Sequence, residues 1–121
     1  IENFLWIGTN NGLEKMNIIT NAIEHIGYKT QTEKPLLKNQ IRSLFVTSNN
    51  DLWICNRENI IIYNIKNKEV KEISYPRTQV RNSTNNYSPI IYEDKNNTIW
   101  LGYRDGLATL INKKKSLNIL K

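Results

Sequence analysis

The sequence predicts an all-β fold, and three observations support that prediction. Short apolar runs rich in Ile, Val, Tyr and Trp alternate with polar residues, as in "IRSLFVTS" from Ile41. Clusters of Asn, Asp, Ser and Gly separate these runs at short intervals. Apolar residues do not recur with helical spacing anywhere in the 121 residues. Strands joined by tight turns are therefore expected throughout the chain.

The chain repeats itself with a period of 47 residues. Trp6, Trp53 and Trp100 are each separated by 47 residues. Other positions keep the same register, namely Ile23, Val70 and Leu117, then Ile26, Ile73 and Leu120, and also Tyr28 and Tyr75. Because the loops keep the period as well, each copy is expected to be one supersecondary unit that stacks on its neighbours.

Each unit contains four predicted strands. In the second copy these are "IRSLFVTS" from Ile41, "LWIC" from Leu52, "IIIYNI" from Ile60 and "VKEISY" from Val70, with polar turns between them. Four antiparallel strands in a repeat of this length are typical of a β-propeller blade. The expected divisions are strands two to four of one blade in residues 1–28, a second blade in 41–75 and a third in 88–121.

These strands amount to about two and three-quarter blades, whereas a closed propeller has about 4 to 8. An incomplete ring leaves an apolar blade face and a sheet edge uncovered. The sequence therefore predicts a segment of a larger propeller, whose remaining blades would be its partners. The alternative is a ring that closes by assembly of several copies.

Three kinds of repeated residue are expected to build the blade. The tryptophans Trp6, Trp53 and Trp100 would fill the wedge between successive blades. Gly8 and Gly102, with Cys55 in the middle copy, would permit close approach of a neighbouring group. Turns ending at Gly12, Asn59 and Gly106 would need a positive φ, which glycine and asparagine tolerate best.

The motifs resemble a known repeat. "YSPIIYEDKNNTIWLGYRDGLATL" at residues 87–110 looks like the two-component regulator propeller repeat, and "LWIGTNNGLEKMN" and "IRSLFVTSNNDLWICNRENIIIYNI" are similar to it. The middle copy departs from the pattern, since Thr47 stands where Asp94 does and its glycines are replaced. The resemblance covers nearly all of the chain.

That resemblance implies an extracytoplasmic sensor region of a hybrid histidine kinase. Its blades would lie on the periplasmic side of the inner membrane, in a membrane-anchored parent that also carries kinase and DNA-binding regions. Such sensors are expected to respond to an oligosaccharide ligand and to act as homodimers. This chain would then be non-catalytic.

One face of the propeller is expected to carry recognition. The loops between second and third strands and the connections between blades, residues 29–40 and 76–87, would meet there. Aromatic faces and bidentate polar groups suit sugar binding. The candidates are Asn10, Asn11, Arg57, Arg77, Arg81, Tyr103, Arg104 and Asp105. The alternative is that they are ordinary solvated turn residues.

Composition argues against several other functions. The chain has 17 Lys and Arg against 11 Asp and Glu, a net charge of +6, but its lysines are scattered, so nucleic-acid binding is not expected. With one histidine, His25, and one cysteine, Cys55, neither a metal site, a cofactor nor a nucleophilic triad is predicted. Asp94 is expected to anchor a turn.

Two other functions stay open at this point. One is a free-standing oligomeric propeller lectin or interaction scaffold. The other is a lyase-type propeller enzyme whose catalytic residues would come from blades outside these residues. No run of 18 apolar residues is present, so no membrane span is predicted within the sequence.

Overall fold

A computed structural model of the chain describes residues 3–26, 40–57, 59–75, 88–103, 106–110 and 117–120. These residues form strands joined by turns, and none of them is helical. The strands are β1 (Phe4–Thr9), β2 (Gly12–Asn17), β3 (Ile23–Ile26), β4 (Ser43–Val46), β5 (Asp51–Cys55), β6 (Asn59–Asn64), β7 (Val70–Ser74), β8 (Ile90–Glu93), β9 (Ile99–Tyr103), β10 (Gly106–Leu110) and β11 (Leu117–Leu120).

The strands form three antiparallel sheets in which each strand pairs with its neighbours in the chain. The first sheet has the order β1-β2-β3, the second β4-β5-β6-β7 and the third β8-β9-β10-β11. Pairing keeps the 47-residue period, because Trp6 lies opposite Lys15, Trp53 opposite Ile62 and Trp100 opposite Thr109. The all-β prediction is therefore confirmed.

The middle sheet is buried on both faces. Successive side chains of a strand point to opposite faces. On β5, Leu52 and Ile54 pack towards the first sheet in a cluster with Leu13. Trp53 and Cys55 pack in a cluster with Leu101 and other apolar residues of the third sheet. All of these strand residues are at most 1% exposed, so the two inter-sheet layers are the core of the described residues.

Asparagine side chains close the turns between β2 and β3 and between β6 and β7 in the same way. Asn17 Oδ1 accepts hydrogen bonds from the amides of Ile19 (2.8 Å) and Thr20 (3.1 Å). Asn64 Oδ1, 47 residues later, accepts from Lys66 (3.0 Å) and Asn67 (2.9 Å). Turn chemistry thus explains why asparagine recurs at this repeat position.

The turns β4–β5 and β8–β9 also repeat. Thr47 Oγ1 accepts from the amide of Asp51 at 3.2 Å, and Asp94 Oδ1 accepts from that of Thr98 at 3.0 Å. Asp94 Oδ1 also accepts from the amide of Asn96 at 2.8 Å. The predicted turn-anchoring role of Asp94 is therefore confirmed, and the hydroxyl of Thr47 takes the same role in the middle copy.

Backbone conformation corrects one prediction. Gly12 and Gly106 have positive φ angles of 120° and 142°. Among the residues that the structure describes, the non-glycine residues with positive φ are Asn21, Asn50, Lys68 and Asn97, so the positive φ predicted for Asn59 is wrong. The Asn59 amide instead donates to Oδ1 of the preceding Asn56 at 2.8 Å. That side-chain contact closes the turn without a left-handed residue at Asn59.

The first strand of the second sheet is also shorter than predicted. It begins at Ser43 rather than Ile41. The Ile41 amide donates to the carbonyl of Thr9 in the first sheet at 3.0 Å. The backbone at Ile41 therefore links the two sheets.

Candidate functional site

The strand ends that flank the β1–β2, β5–β6 and β9–β10 connections lie at one end of the sheets, which we call the loop end. Two contacts show that neighbouring sheets are aligned there. The Ile41 amide reaches Thr9 beside the β1–β2 turn, and the ring of Tyr75 stacks on that of Tyr103. At the opposite end, Ser48 of the β4–β5 turn contacts Glu93 of the third sheet. The described residues that flank these three connections therefore share one end, whereas nearly all of the predicted blade connections, residues 29–39 and 76–87, lie outside the described residues.

Asn10 is held by Gln40, which lies just before the second sheet. Asn10 is exposed, and its Oδ1 accepts a hydrogen bond from Nε2 of Gln40 at 2.9 Å. The neighbouring Asn11 is also exposed, and its amide donates to Thr9 Oγ1 at 3.0 Å. This contact leaves the side-chain amide nitrogen of Asn10 and the carbonyl oxygen of Gln40 as polar groups at the loop end.

Tyr103 lies beside Tyr75, an aromatic residue that was not among the predicted recognition residues. Its ring stacks on that of Tyr75 with centroids 5.9 Å apart and planes 20° apart. Tyr75 is 9% exposed and its hydroxyl donates to the carbonyl of Asn56 at 2.7 Å. This buried hydrogen bond fixes the Tyr75 ring against the β5–β6 turn. Tyr103 is only half-buried, so part of its ring remains accessible.

The remaining candidates fall into two groups. Arg57 is exposed in the β5–β6 connection. Arg77, Arg81, Arg104 and Asp105 lie outside the described residues, so their assignment to the site stays a prediction.

The repeated tryptophans have different surroundings in the three sheets. Trp53 is 1% exposed between the second and third sheets. Trp6 contacts Tyr63 of the second sheet edge to face, with centroids 6.2 Å apart. Trp100 is half-buried, and its indole Nε1 donates to Asp94 Oδ2 at 2.9 Å. Two of the three rings therefore lie between sheets.

The two glycines on the corresponding strands also differ. A Cβ added at Gly8 would lie 2.5 Å from Cγ2 of Ile41, which belongs to the second sheet's side of the interface. A Cβ added at Gly102 would have the carbonyl oxygen of Ile90 as its nearest neighbour, at 3.9 Å. Close approach is therefore observed at Gly8 and not at Gly102.

Cys55 and Asp94 have shifted pKa values, and burial and hydrogen bonding explain these shifts. Burial raises the pKa of the Cys55 thiol to about 11, although the hydroxyls of Ser43 and Tyr75 oppose this. The pKa of Asp94 is lowered, first by the hydrogen bond from Trp100 and then by backbone amides. Cys55 is a free, buried thiol and at neutral pH it is protonated, which does not suit a nucleophile.

Within the described part of the chain, no group of three or more His, Cys, Asp or Glu side chains is placed so that it could hold a metal ion. Nor do the described residues include a helix long and apolar enough to cross a membrane. A shallow depression lies at the end opposite the loop end and is lined by Asp51, Ile62, Asn64, Glu69 and Lys71. It contains none of the predicted recognition residues.

Sequence reasoning also missed a polar link between the second and third sheets. The amide and hydroxyl of Ser48 both donate to the carboxylate of Glu93, at 2.8 and 2.6 Å. A serine in a polar turn carries no signal of its own. The pair could not be identified from spacing, because the positions equivalent to Ser48 and Glu93 in other copies are Lys95 and Val46.

Comparison with known proteins agrees with this architecture. Residues 82–105 match the two component regulator propeller family, so the resemblance of this repeat is confirmed. Among curated proteins, a search finds no match to the chain.

Two solved structures from B. thetaiotaomicron are similar to the chain. The extracellular domain of BT3049, named as a hybrid two component system, superposes with a TM-score of 0.72 and 23% identity over 96% of this chain. The extracellular domain of BT4673, named as a one component system, gives 0.70 and 19% over 97%. This chain spans 15% of each of those two chains. The predicted partial β-propeller is thereby confirmed as the fold.

Proposed function

We propose that this chain is a non-catalytic segment of a sensor propeller in a hybrid two-component histidine kinase. Its loop end would contribute to binding an oligosaccharide on the extracytoplasmic side of the membrane. The observation that carries the proposal is that the loop end presents both the partly accessible Tyr103 ring and the hydrogen-bonded side-chain amides of Asn10 and Gln40. Flat aromatic faces with a few oriented polar groups are suited to a sugar ligand.

The wider parts of the proposal are supported by the repeat. The match at residues 82–105 and the likeness to extracellular domains favour a receptor in a two-component pathway. The resemblance implies a parent protein that is anchored in the membrane, lies on the periplasmic side and forms a homodimer. It also implies that the remaining blades of the propeller are partners of this segment. Sequencing the gene on both sides of this segment tests them, since further copies of the 47-residue repeat and a membrane helix are expected.

A glycan array of plant and mucin oligosaccharides, probed with the 121-residue chain, tests ligand binding directly. We expect at least one oligosaccharide class to bind, and titration calorimetry of that glycan to give a measurable Kd. Replacing Tyr103 with Ala and Asn10 with Ala should each weaken binding about tenfold or more, equivalent to about 1.4 kcal/mol. Thermal unfolding of both variants checks that the fold is kept.

Asn96→Ala is the matched control, because Asn96 is an exposed asparagine in a turn at the opposite end. It should leave the Kd unchanged. Binding that is lost equally in the Asn96 and Asn10 variants, or no binding to any glycan, would contradict the proposal.

A further inference from the structure

Arginine and lysine are distributed differently along the chain. The five arginines directly precede β4 or fall in the connections β5–β6, β7–β8 and β9–β10, and they are Arg42, Arg57, Arg77, Arg81 and Arg104. The strand termini that flank these positions all belong to the loop end. The connections at the opposite end contain lysines and no arginine. The guanidinium group, unlike positive charge in general, is therefore restricted in sequence to the loop-end connections.

Arg42 and Arg57 are the two arginines that the structure describes, and both belong to the second sheet. The Arg42 amide donates a hydrogen bond to the carbonyl of Cys55 at 2.7 Å. Arg57 follows Cys55 by two residues and is exposed in the β5–β6 connection. The two arginines are thus attached to neighbouring backbone segments at the loop end.

A pair of side-chain amides lies on the first-sheet side of these arginines. Gln40 is two residues before Arg42, and its Nε2 donates to Oδ1 of Asn10 at 2.9 Å. That hydrogen bond fixes the orientation of both side chains. The amide nitrogen of Asn10 is a donor of the kind that binds sugar hydroxyl, carboxylate or sulfate oxygens.

The Tyr103 ring lies on the third-sheet side, and one hydrogen bond connects its stacking partner to the backbone beside Arg57. Asn56 directly precedes Arg57, and its carbonyl accepts a hydrogen bond from the Tyr75 hydroxyl at 2.7 Å. The Tyr75 ring stacks on that of Tyr103. An accessible aromatic face and a guanidinium-bearing turn are therefore held in a fixed relation.

Carboxylates are absent from the described residues of the loop-end connections. Residues 10, 11, 40–42, 56, 57, 75, 88 and 89 include no Asp or Glu. In the sequence, Glu33, Glu58 and Asp105 also fall in these connections, outside the described residues, and the arginines outnumber them. A guanidinium group presents parallel N–H donors that match the paired oxygens of a carboxylate or a tetrahedral oxyanion, a geometry that the lysine ammonium lacks. This chemistry selects an acidic ligand.

Resting on the oligosaccharide binding proposed above, we propose that the ligand of the loop end is an anionic oligosaccharide, whose carboxylate or sulfate group is bound by Arg57 while the Tyr103 ring contacts a sugar face. Arg42 adds a second positive charge at the same end of the second sheet. A neutral oligosaccharide of the same shape would forgo the charge-assisted hydrogen bonds.

Two matched pairs of glycans test the charge requirement by titration calorimetry with the 121-residue chain. Oligogalacturonate carries carboxylates and its methyl ester is neutral, whereas keratan sulfate oligosaccharides carry sulfate and their desulfated form is neutral. We expect the anionic member of at least one pair to bind about tenfold or more tightly than its neutral member. The pair that shows this preference identifies carboxylate or sulfate as the bound group. Raising NaCl from about 50 to about 500 mM should weaken that binding.

Two substitutions test the guanidinium contact. Arg57→Gln should weaken binding of the anionic glycan about tenfold or more. Arg57→Lys should not restore it, because lysine keeps the charge without the paired donors. Lys66→Gln is the matched control, since Lys66 is an exposed cation of the same sheet at the opposite end, and it should leave the Kd unchanged. Thermal unfolding of the three variants checks that the fold is kept.

The outcomes separate this proposal from the one on which it rests. Equal affinity within both pairs, or a neutral glycan as the tightest ligand on the array, would overturn the anionic ligand and leave oligosaccharide binding standing. An absence of binding to every glycan would overturn both. Binding by the Arg57→Lys variant that equals that of the native chain, or an equal loss in Lys66→Gln, would show general charge attraction and also overturn the proposal.

Discussion

Identical residues at one repeat position have different surroundings in this molecule. Gly8 lies against Ile41 of the neighbouring sheet, whereas Gly102, its equivalent, has no close neighbour among the described residues. The two glycines occupy equivalent positions in the sequence repeat, yet packing requires glycine only at Gly8. Whether packing requires a glycine at this repeat position therefore depends on the presence of a neighbouring sheet.

Gly8→Ala should lower the free energy of unfolding by about 1–3 kcal/mol, because the new Cβ would overlap Ile41 and force the sheets apart. Gly102→Ala is the matched control and should change it by less than about 1 kcal/mol, or raise it slightly by reducing the freedom of the unfolded chain. Urea denaturation of the three proteins measures the difference. Equal destabilisation by both substitutions would contradict this interpretation.

Asp94 makes stability depend on pH in a defined direction. Its pKa in the folded chain is lowered below the ordinary value, first by the bond from Trp100. A lowered folded pKa stabilises the fold fully above the unfolded pKa of about 3.9, and this contribution is lost as pH falls through the folded pKa.

The stability difference between the native chain and Asp94→Asn should therefore be largest near neutral pH and shrink as the pH approaches 3. Urea midpoints measured between pH 7 and 3 test this. Asp51→Asn is the control, since it removes a carboxylate without that indole bond. A difference that grows on acidification would show that Asp94 does not have the lowered pKa.

At the scale of the hairpin, the turns repeat their backbone more faithfully than their side chains. Asn21 and Lys68 are 47 residues apart and have φ angles of 65° and 67°. Asparagine tolerates this left-handed conformation, whereas lysine lacks the short polar side chain that makes it favourable. The β6–β7 turn therefore contains a residue less suited to its conformation than the one in the β2–β3 turn.

Lys68→Asn should stabilise the chain by a few tenths to about 1 kcal/mol, because asparagine, the residue at the equivalent position Asn21, tolerates the positive φ better than lysine does. The control is Lys66→Asn, which changes an exposed lysine of the same turn that does not have a positive φ. Thermal and urea unfolding compare the two variants. A stabilisation of the same size at Lys66 would show that charge removal, rather than backbone conformation, is responsible.

At the scale of the whole molecule, the two outer sheets each present an apolar face. Ile90 and Tyr92 of the third sheet are 72% and 61% exposed, although Phe45 of the second sheet, the equivalent of Tyr92, is packed against the buried core. Exposed contiguous apolar surface favours association. We therefore expect the outer face of the third sheet to take part in association.

Ile90→Ser combined with Tyr92→Ser should reduce binding of the dye ANS and concentration-dependent association measured by light scattering. Little change in unfolding midpoint is expected, because both residues are exposed. Ile18→Ser with Ile19→Ser is the control, since those exposed residues lie in a turn and not on a sheet face. An equal reduction in the control would mean that general apolarity, not the blade face, drives association.

The sequence by itself determined the features that depend on neighbouring residues in the chain. Alternating apolar residues predicted the strands, Asn- and Gly-containing clusters predicted the turns, and the 47-residue spacing predicted blades. These are short-range properties, because side-chain alternation and turn conformation are largely set within a few residues. The error in φ at Asn59 arose because the Asn56 side chain accepts a hydrogen bond from the Asn59 amide and closes the turn in that way.

Only the tertiary structure decided which equivalent residues are covered and which groups meet between sheets. The stacking of Tyr75 on Tyr103 and the bond from Ser48 to Glu93 join residues far apart in sequence. Leu5 and Leu52 occupy the same repeat position, yet Leu5 is exposed and Leu52 is buried. A repeat fixes the same local conformation in every copy, but burial depends on the neighbouring sheet, and that differs from one copy to the next.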